Sequence, residues 1–274
     1  MITRFAPSPT GLLHLGHAFA AQIAWDLAQA AGGTFLVRIE DIDFTRCRAE
    51  FESAIFEDLN WLGFIWPHPV WRQTDRFPVY ADALERLQRC GVLYPCFCTR
   101  QEIAAAITAP QGETPPLYPG TCRDRSAGER QDQIASGRLF AWRLDVALAM
   151  SLTGPLTWHD QLRGNHPVDL STMGDVVLAR RDISTSYHLS VTIDDAAQNV
   201  SVVSRGLDLF TSTNVHRLLQ ELLQLPVPEW HHHRLILDEH GNRLAKRDEA
   251  RTLRSLREAG HTPERVRTMF ATAR

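Results

Sequence analysis

The first forty residues constrain the fold more tightly than any other stretch of this chain. Residues 2–6, ITRFA, read as a short strand, and the Pro- and Gly-rich loop PSPTGLLHLG follows. Residues 17–31, HAFAAQIAWDLAQAA, are a run of good helix formers closed by Gly32-Gly33, and TFLVRIE is a second strand. Strand, glycine loop, helix and strand form a βαβ unit. Such a unit requires a parallel sheet and sets the loop at the carboxyl edge of the first strand. The expected fold is α/β, with a Rossmann-type parallel-sheet catalytic core.

The rest of the chain divides by texture. Residues 46–64 predict a helix with Phe51, Ile55, Leu59 and Leu62 along one face, and residues 78–90 predict another. From about 91 to 170 the elements shorten and Pro and Gly cluster, as in PPLYPG, which reads as an inserted subdomain. A strand at 200–206 and a helix near 213–224 resume the regular pattern. LILDEHGNRLAKRDEA then reads as a hairpin-like loop leading into a short helical C-terminal segment. The expected division is 1–90 for the first half of the catalytic domain, 91–170 for the insertion, and 171–274 for the second half with its loop and tail.

Composition excludes some classes. Hydrophobic residues make up 44% of the 274, enough for a sizeable core. No apolar run reaches the ~20 residues that a membrane span needs, and MITRFAPSP is not a signal sequence, so a cytoplasmic protein without a membrane partner is expected. The net charge of −3 gives no global nucleic-acid footprint. Any nucleic-acid contact must be local, and Arg180-Arg181 and Arg243–Arg257 are candidates. Lys246 is the only lysine among 29 basic residues. An ammonium binds phosphate as a compact point charge, which a planar guanidinium does not imitate.

The stretch from Arg4 to His17, RFAPSPTGLLHLGH, carries the most chemistry. It sets His14 and His17 three residues apart around Gly16 where a helix begins. A helix N-terminus suits an anion, Gly16 permits close approach of a flat ligand, and the imidazoles can donate to phosphate oxygens. A helix cap made of two surface histidines is the plainer alternative.

These residues resemble the glutamyl branch of the class I aminoacyl-tRNA synthetases, whose first signature has the form HIGH, here His14-Leu15-Gly16-His17. The second signature, of the form KMSKS, resembles Arg243-Leu244-Ala245-Lys246-Arg247, with Arg in place of its first Lys and Ala245 in place of its Ser. The resemblance implies that His14, Gly16, His17 and Lys246 bind ATP, and that His14, His17 and Lys246 stabilise charge as pyrophosphate leaves, with Mg²⁺ accompanying ATP. It also implies a glutamate pocket built from Arg4, Phe5, Ala6, Pro7, Ser8, Glu40, Tyr187 and Arg205. That chemistry is sensible, since glutamate needs an arginine for its side-chain carboxylate and an acid for its amine. The plainer reading of Glu40 and Arg205 is an ordinary salt bridge. Asp194 and Asp195 could orient a pocket arginine or meet a ribose.

Cys96 and Cys98 form a C-x-C pair, and Cys122 lies where PPLYPG could turn the chain back to meet them. Three thiolates and one more donor make a closed structural zinc site, whereas reduced buried cysteines are the alternative. A subgroup of the resembled family carries C-x-C followed by Y-x-x-x-C, which implies Tyr118 as the fourth ligand; His159 is the other candidate. His231-His232-His233 cannot converge on one metal from a strand, and solvent- or tRNA-facing roles are expected for them.

Only 27 residues follow Arg247, fewer than an anticodon-binding domain needs. The resemblance therefore points to a catalytic half alone. It implies tRNA-independent activation of L-glutamate with ATP, then transfer to queuosine at the wobble position of tRNA(Asp); a monomer is expected. A truncated synthetase charging a tRNA 3′ end and a non-catalytic tRNA-binding paralogue are the alternatives.

Overall fold

A computed structural model describes residues 1–99, 101–103, 118–180, 183–236 and 252–272. The βαβ unit is present as β1 (Ile2–Phe5), α1 (Leu15–Ala30) and β2 (Thr34–Ile39). β1 and β2 pair in parallel from Ile2↔Thr34 to Phe5↔Val37, and β3 (Trp71–Arg72) extends the sheet beyond β2. The face of α1 against the sheet is built from Ala18, Ala21, Ala24 and Ala28, all buried. Small side chains bring helix and strand close, and the Thr3 hydroxyl donates to the Ala24 carbonyl at 2.7 Å. After α1 the chain must turn tightly, and a Cβ on Gly33 would lie 2.0 Å from the Met1 carbonyl oxygen, so only glycine fits there.

Next come α2 (Ala49–Trp61), α3 (Phe77–Arg89), β4 (Leu93–Cys96), α4 (Ala127–Ala135), β5 (Ala141–Leu144) and α5 (Val146–Thr153). These are followed by β6 (Thr157–Asp160), β7 (Gly164–Pro167) and β8 (Val177–Arg180). The last elements are α6 (Tyr187–Ala197), β9 (Val202–Gly206), α7 (Ser212–Leu222), β10 (Glu229–His233), α8 (Leu253–Glu258) and α9 (Pro263–Thr272). β10 lies between β9 and β6 and is parallel to both, with β7 antiparallel at the outer edge. The two parallel sheets meet where the Ser201 N–H donates to the Ile2 carbonyl at 3.0 Å. A third sheet, β4-β5-β8, is antiparallel and ends in Cys96.

One hydrophobic core joins the βαβ unit to the C-terminal helices through Phe5, Leu13, Val37, Ile55, Leu253 and Val266. A second packs α3, α6 and α7 through Tyr80, Leu87, Leu189, Val215 and Leu219. Together they fix β1, β2 and β9 side by side, so that their carboxyl ends open on one crevice. Among the described residues, no helix is long and apolar enough to cross a membrane.

Candidate active site

At that crevice a cavity of ≈ 300 Å³ is lined by Arg4, Phe5, Ala6, Pro7, Ser8, Glu40, Tyr187 and Arg205, among others. The fold thus brings together all eight residues expected of an amino-acid pocket. They arrive from the end of β1 and its loop, the residue after β2, the first turn of α6, and β9. The Glu40 N–H donates to the Pro7 carbonyl at 3.0 Å, which ties the two loops.

Two arginines here are neutralised. Arg4 Nε donates to Asp195 at 3.0 Å and its Nη1 to the Ser204 carbonyl at 3.0 Å. Arg38, fully buried, donates to Asp195 at 2.8 Å, to Glu40 at 3.1 Å and to Gln198 at 2.8 Å. The pair of acids on α6 is therefore an orienting device. Asp195 holds Arg4 and Arg38, while Asp194 accepts from Arg76 at 2.6 Å, Gln73 at 3.1 Å and Tyr80 at 2.8 Å. Burial pushes the Glu40 carboxyl up, and Arg38 and Arg4 pull it back.

Arg205 is different. It is 5% exposed, yet among the described residues no carboxylate lies within ion-pair distance of it. Its Nε donates to His232 Nε2 at 3.2 Å, Nη1 to His216 Nδ1 at 3.0 Å and Nη2 to the Thr213 hydroxyl at 2.6 Å. Tyr187 Oη lies 3.4 Å from Nη1. Burial lowers the pKa of Arg205, the Tyr187 phenol opposes that, and Arg4 adds to it. A desolvated cation held only by neutral acceptors is a receptor for an anion.

A second cavity, of ≈ 260 Å³, adjoins the first through His17, Ala20 and Gly206 and is lined by His14, Gly16, Phe19, His233 and Ile236. The two motif histidines cap α1. His14 Nδ1 accepts the Gly16 N–H at 3.1 Å, and His17 Nδ1 accepts the His14 N–H at 3.2 Å. Both rings are thereby fixed with the proton on Nε2, a donor suited to phosphate oxygen. A Cβ on Gly16 would lie 3.0 Å from His14 Cε1, so glycine is what lets the ring sit over the helix start. Arg243, Ala245, Lys246 and Arg247 lie outside the described residues. The described chain on either side of them ends at this cavity: Ile236 lines it, and Thr252 forms an antiparallel bridge with His14.

A third cavity of ≈ 670 Å³ shares Ser8, Glu40 and Tyr187 with the first and reaches Arg46, Cys98, Arg143 and Arg180. Behind it the Sγ atoms of Cys96, Cys98 and Cys122 lie within 4.8 Å of one another. Tyr118 Oη stands 3.3 Å from Cys96 Sγ and 3.9 Å from Cys98 Sγ. Burial opposes ionisation of Cys122, but the Phe97 N–H, Cys98 and Tyr118 overcome it and bring the thiol to about 7. Three soft donors with a phenol beside them fit a tetrahedral metal, and this cluster could hold such an ion. His159 is not among its atoms and instead pairs through Nδ1 with Asn165 at 2.8 Å.

The histidine run departs from its expected solvent-facing role. Alternation along β10 does prevent convergence, but His232 is fully buried and His233 is 6% exposed, facing the second cavity. β10 pairs with β9 in the register that sets His232 beside Arg205, a juxtaposition that no local sequence signal announces. Arg38, Gln73, Thr213 and His216 carry no local motif, and their roles emerge only from contacts distant in sequence.

Comparison with known proteins follows the same lines. The family described as tRNA synthetases class I (E and Q), catalytic domain, matches residues 1–272. The chain is 51% identical to the Glutamyl-Q tRNA(Asp) synthetase of Rhodobacter capsulatus, across 98% of this chain and 99% of that protein. It is 45% identical to the protein of the same name from Nocardia farcinica, across 96% and 81%. A crystal structure of a glutamate tRNA ligase from Elizabethkingia meningosepticum, in complex with its amino acid, superposes with a TM-score of 0.76 at 30% identity. That match covers 90% of this chain and 52% of the ligase, so this chain spans about half of that longer protein.

Proposed function

This chain belongs to the class I (E and Q) tRNA synthetase catalytic-domain family and is a ligase of that class, and from that premise we propose that it activates L-glutamate with ATP, without tRNA, and transfers it to queuosine in tRNA(Asp). The observation that carries the choice of amino acid is Arg205. A buried guanidinium with no carboxylate at ion-pair distance among the described residues calls for the side-chain carboxylate, while Glu40 across the same cavity supplies a carboxylate for the ammonium.

The chemistry is positioning and charge stabilisation. An oxygen of the glutamate α-carboxylate attacks the ATP α-phosphorus as the bond to the β-phosphate oxygen breaks and pyrophosphate leaves. His14 and His17, each presenting an Nε2–H, donate to the phosphates. Lys246 would add a point charge, a role supported by its described flanking residues: Ile236 lines the cavity of His14 and His17, and Thr252 bridges to His14. Mg²⁺ bound with the ATP would help to neutralise the phosphate charge that these residues meet. The acceptor hydroxyl then attacks the acyl carbon, AMP leaves, and the hydroxyl proton is lost to solvent. The third cavity is large enough for a nucleoside and opens onto Glu40 and Tyr187, which favours it as the acceptor's place. Residues 91–170 would be the insertion that forms its far wall, with one structural zinc on Cys96, Cys98, Tyr118 and Cys122.

The test is transfer of labelled glutamate to tRNA(Asp) with and without queuosine. Acceptance that depends on queuosine supports the proposal. Acceptance independent of queuosine and abolished by oxidation of the 3′-terminal diol would instead mean 3′-end charging, and no glutamate-dependent reaction would leave a binding paralogue.

A further inference from the structure

Arg205 sits in the middle of a hydrogen-bonded chain with a definite polarity. Asp160, buried, accepts from His232 Nδ1 at 2.7 Å and also from the His232 backbone N–H at 3.1 Å. His232 must therefore carry its proton on Nδ1, which leaves a lone pair on Nε2 facing Arg205 Nε at 3.2 Å. On the other side, Arg205 can only donate, so His216 Nδ1 is a lone pair and its proton is on Nε2, where His188 Nδ1 accepts at 3.2 Å. Both imidazoles are neutral, and Thr213 supplies a neutral oxygen to Nη2.

The contrast with its neighbours is chemical. Arg4 and Arg38 share Asp195 at 3.0 and 2.8 Å, and Arg38 also pairs with Glu40 at 3.1 Å and Asp194 at 3.7 Å, so both cations have carboxylate partners within the fold. Arg205 is gripped at three nitrogens, yet among the described residues the one acid in its hydrogen-bonded chain, Asp160, reaches it through an imidazole. The guanidinium is thus fixed in orientation while its charge remains unspent. A carboxylate at any of these three positions would give equally good hydrogen bonds but would neutralise the receptor. A neutral amide ligand would then fit as well as a carboxylate.

We propose that His216 and His232, with Thr213, are positioning residues that hold Arg205 through lone pairs alone and so set selectivity for glutamate over glutamine. The proposal rests on the glutamate reading above and deepens it.

The experiment is ATP–pyrophosphate exchange, reading the KM for L-glutamate and the inhibition constant of L-glutamine for the wild type, His216→Asp and His216→Asn. His216→Asp places a carboxylate on Nη1. Its ratio of glutamine constant to glutamate KM should fall by ~30-fold or more, chiefly through a raised KM for glutamate, with kcat and the KM for ATP changed less than about threefold. Asn keeps a neutral acceptor oxygen at that position and should restore the ratio to within about threefold of wild type, which a merely structural role for the ring would not do. If His216→Asp does not fold, Thr213→Asp brings a carboxylate to Nη2 from the same helix, and the same ratio should fall.

An aspartate variant that keeps the wild-type ratio, or an asparagine variant that loses it as fully as aspartate does, would overturn this proposal alone. Absence of glutamate-dependent exchange in the wild type would overturn the glutamate reading together with it.

Discussion

The Leu253 N–H donates to the Leu13 carbonyl at 2.8 Å, which fastens the start of α8 to the residue before His14. Both residues are buried in the core beneath the βαβ unit. Thr252 bridges to the first histidine of the motif, and Ile236 lies in the wall of the cavity that His14 also lines. Two segments more than 200 residues apart in sequence are thus brought to one cavity by a backbone hydrogen bond and by packing in a shared core.

Arg205→Gln should abolish most of the stabilisation that L-glutamate gives to the protein. A charge-assisted bidentate contact is worth ~1.5–3 kcal/mol more than its absence, or about 10–100-fold in affinity. Thermal shift with saturating glutamate checks it: the wild type rises in Tm and the variant does not. An equal rise in both would remove Arg205 from the ligand contact.

Purified protein should contain about one zinc per chain, and Cys122→Ser should lose most of it, because Cys96, Cys98 and Cys122, whose Sγ atoms lie within 4.8 Å of one another, would supply three of the four donors of a tetrahedral site. Tyr118→Phe should weaken zinc retention by ~10-fold or more under competition with a chelator if the phenol oxygen is the fourth donor. Metal analysis by mass spectrometry reads both. Retention by Tyr118→Phe equal to wild type would assign the fourth position to another group.

Much of this site was legible in the sequence. The glycine loop between a strand and a helix placed His14, Gly16 and His17, and the ends of β2 and β9 placed Glu40 and Arg205, because parallel sheets deliver chemistry at strand termini. What was not legible are the groups that orient these side chains. Arg38 reads as one more strand residue in TFLVRIE, yet it is fully buried and meets Asp195, 157 positions away. His232 reads as one of three polar histidines, and only the pairing of β10 with β9 turns it toward Arg205. Periodicity reports which face a residue occupies, not what lies across from it.

Stability should rise from about pH 5 to about pH 7. Burial, aided by Arg205, depresses His188 and His232 to about 4 and holds His216 well below its ordinary range. The unfolded chain takes up protons at these rings as pH falls below about 6.5, where the folded chain does not, so stability present above that value is lost toward pH 4. Asp58 works the other way. Burial pushes it up to about 6, so its contribution is full at low pH and lost as pH rises toward 6. Glu40, also raised by burial, acts in the same sense as Asp58, while His231 and His233 are lowered like the other three rings, so five rings outweigh two carboxyls. Urea denaturation should show the rise, and His188→Gln should flatten it; a flat wild-type profile would contradict the neutral histidine chain.

The most direct measurement is ATP–pyrophosphate exchange in the absence of tRNA, with L-glutamate, for the wild type and Lys246→Ala. The account predicts exchange that requires glutamate and falls by ~100-fold or more in the variant, as expected when a charge that stabilises departing pyrophosphate is removed. Exchange that is undiminished in Lys246→Ala, or a wild type with no glutamate-dependent exchange, would contradict it.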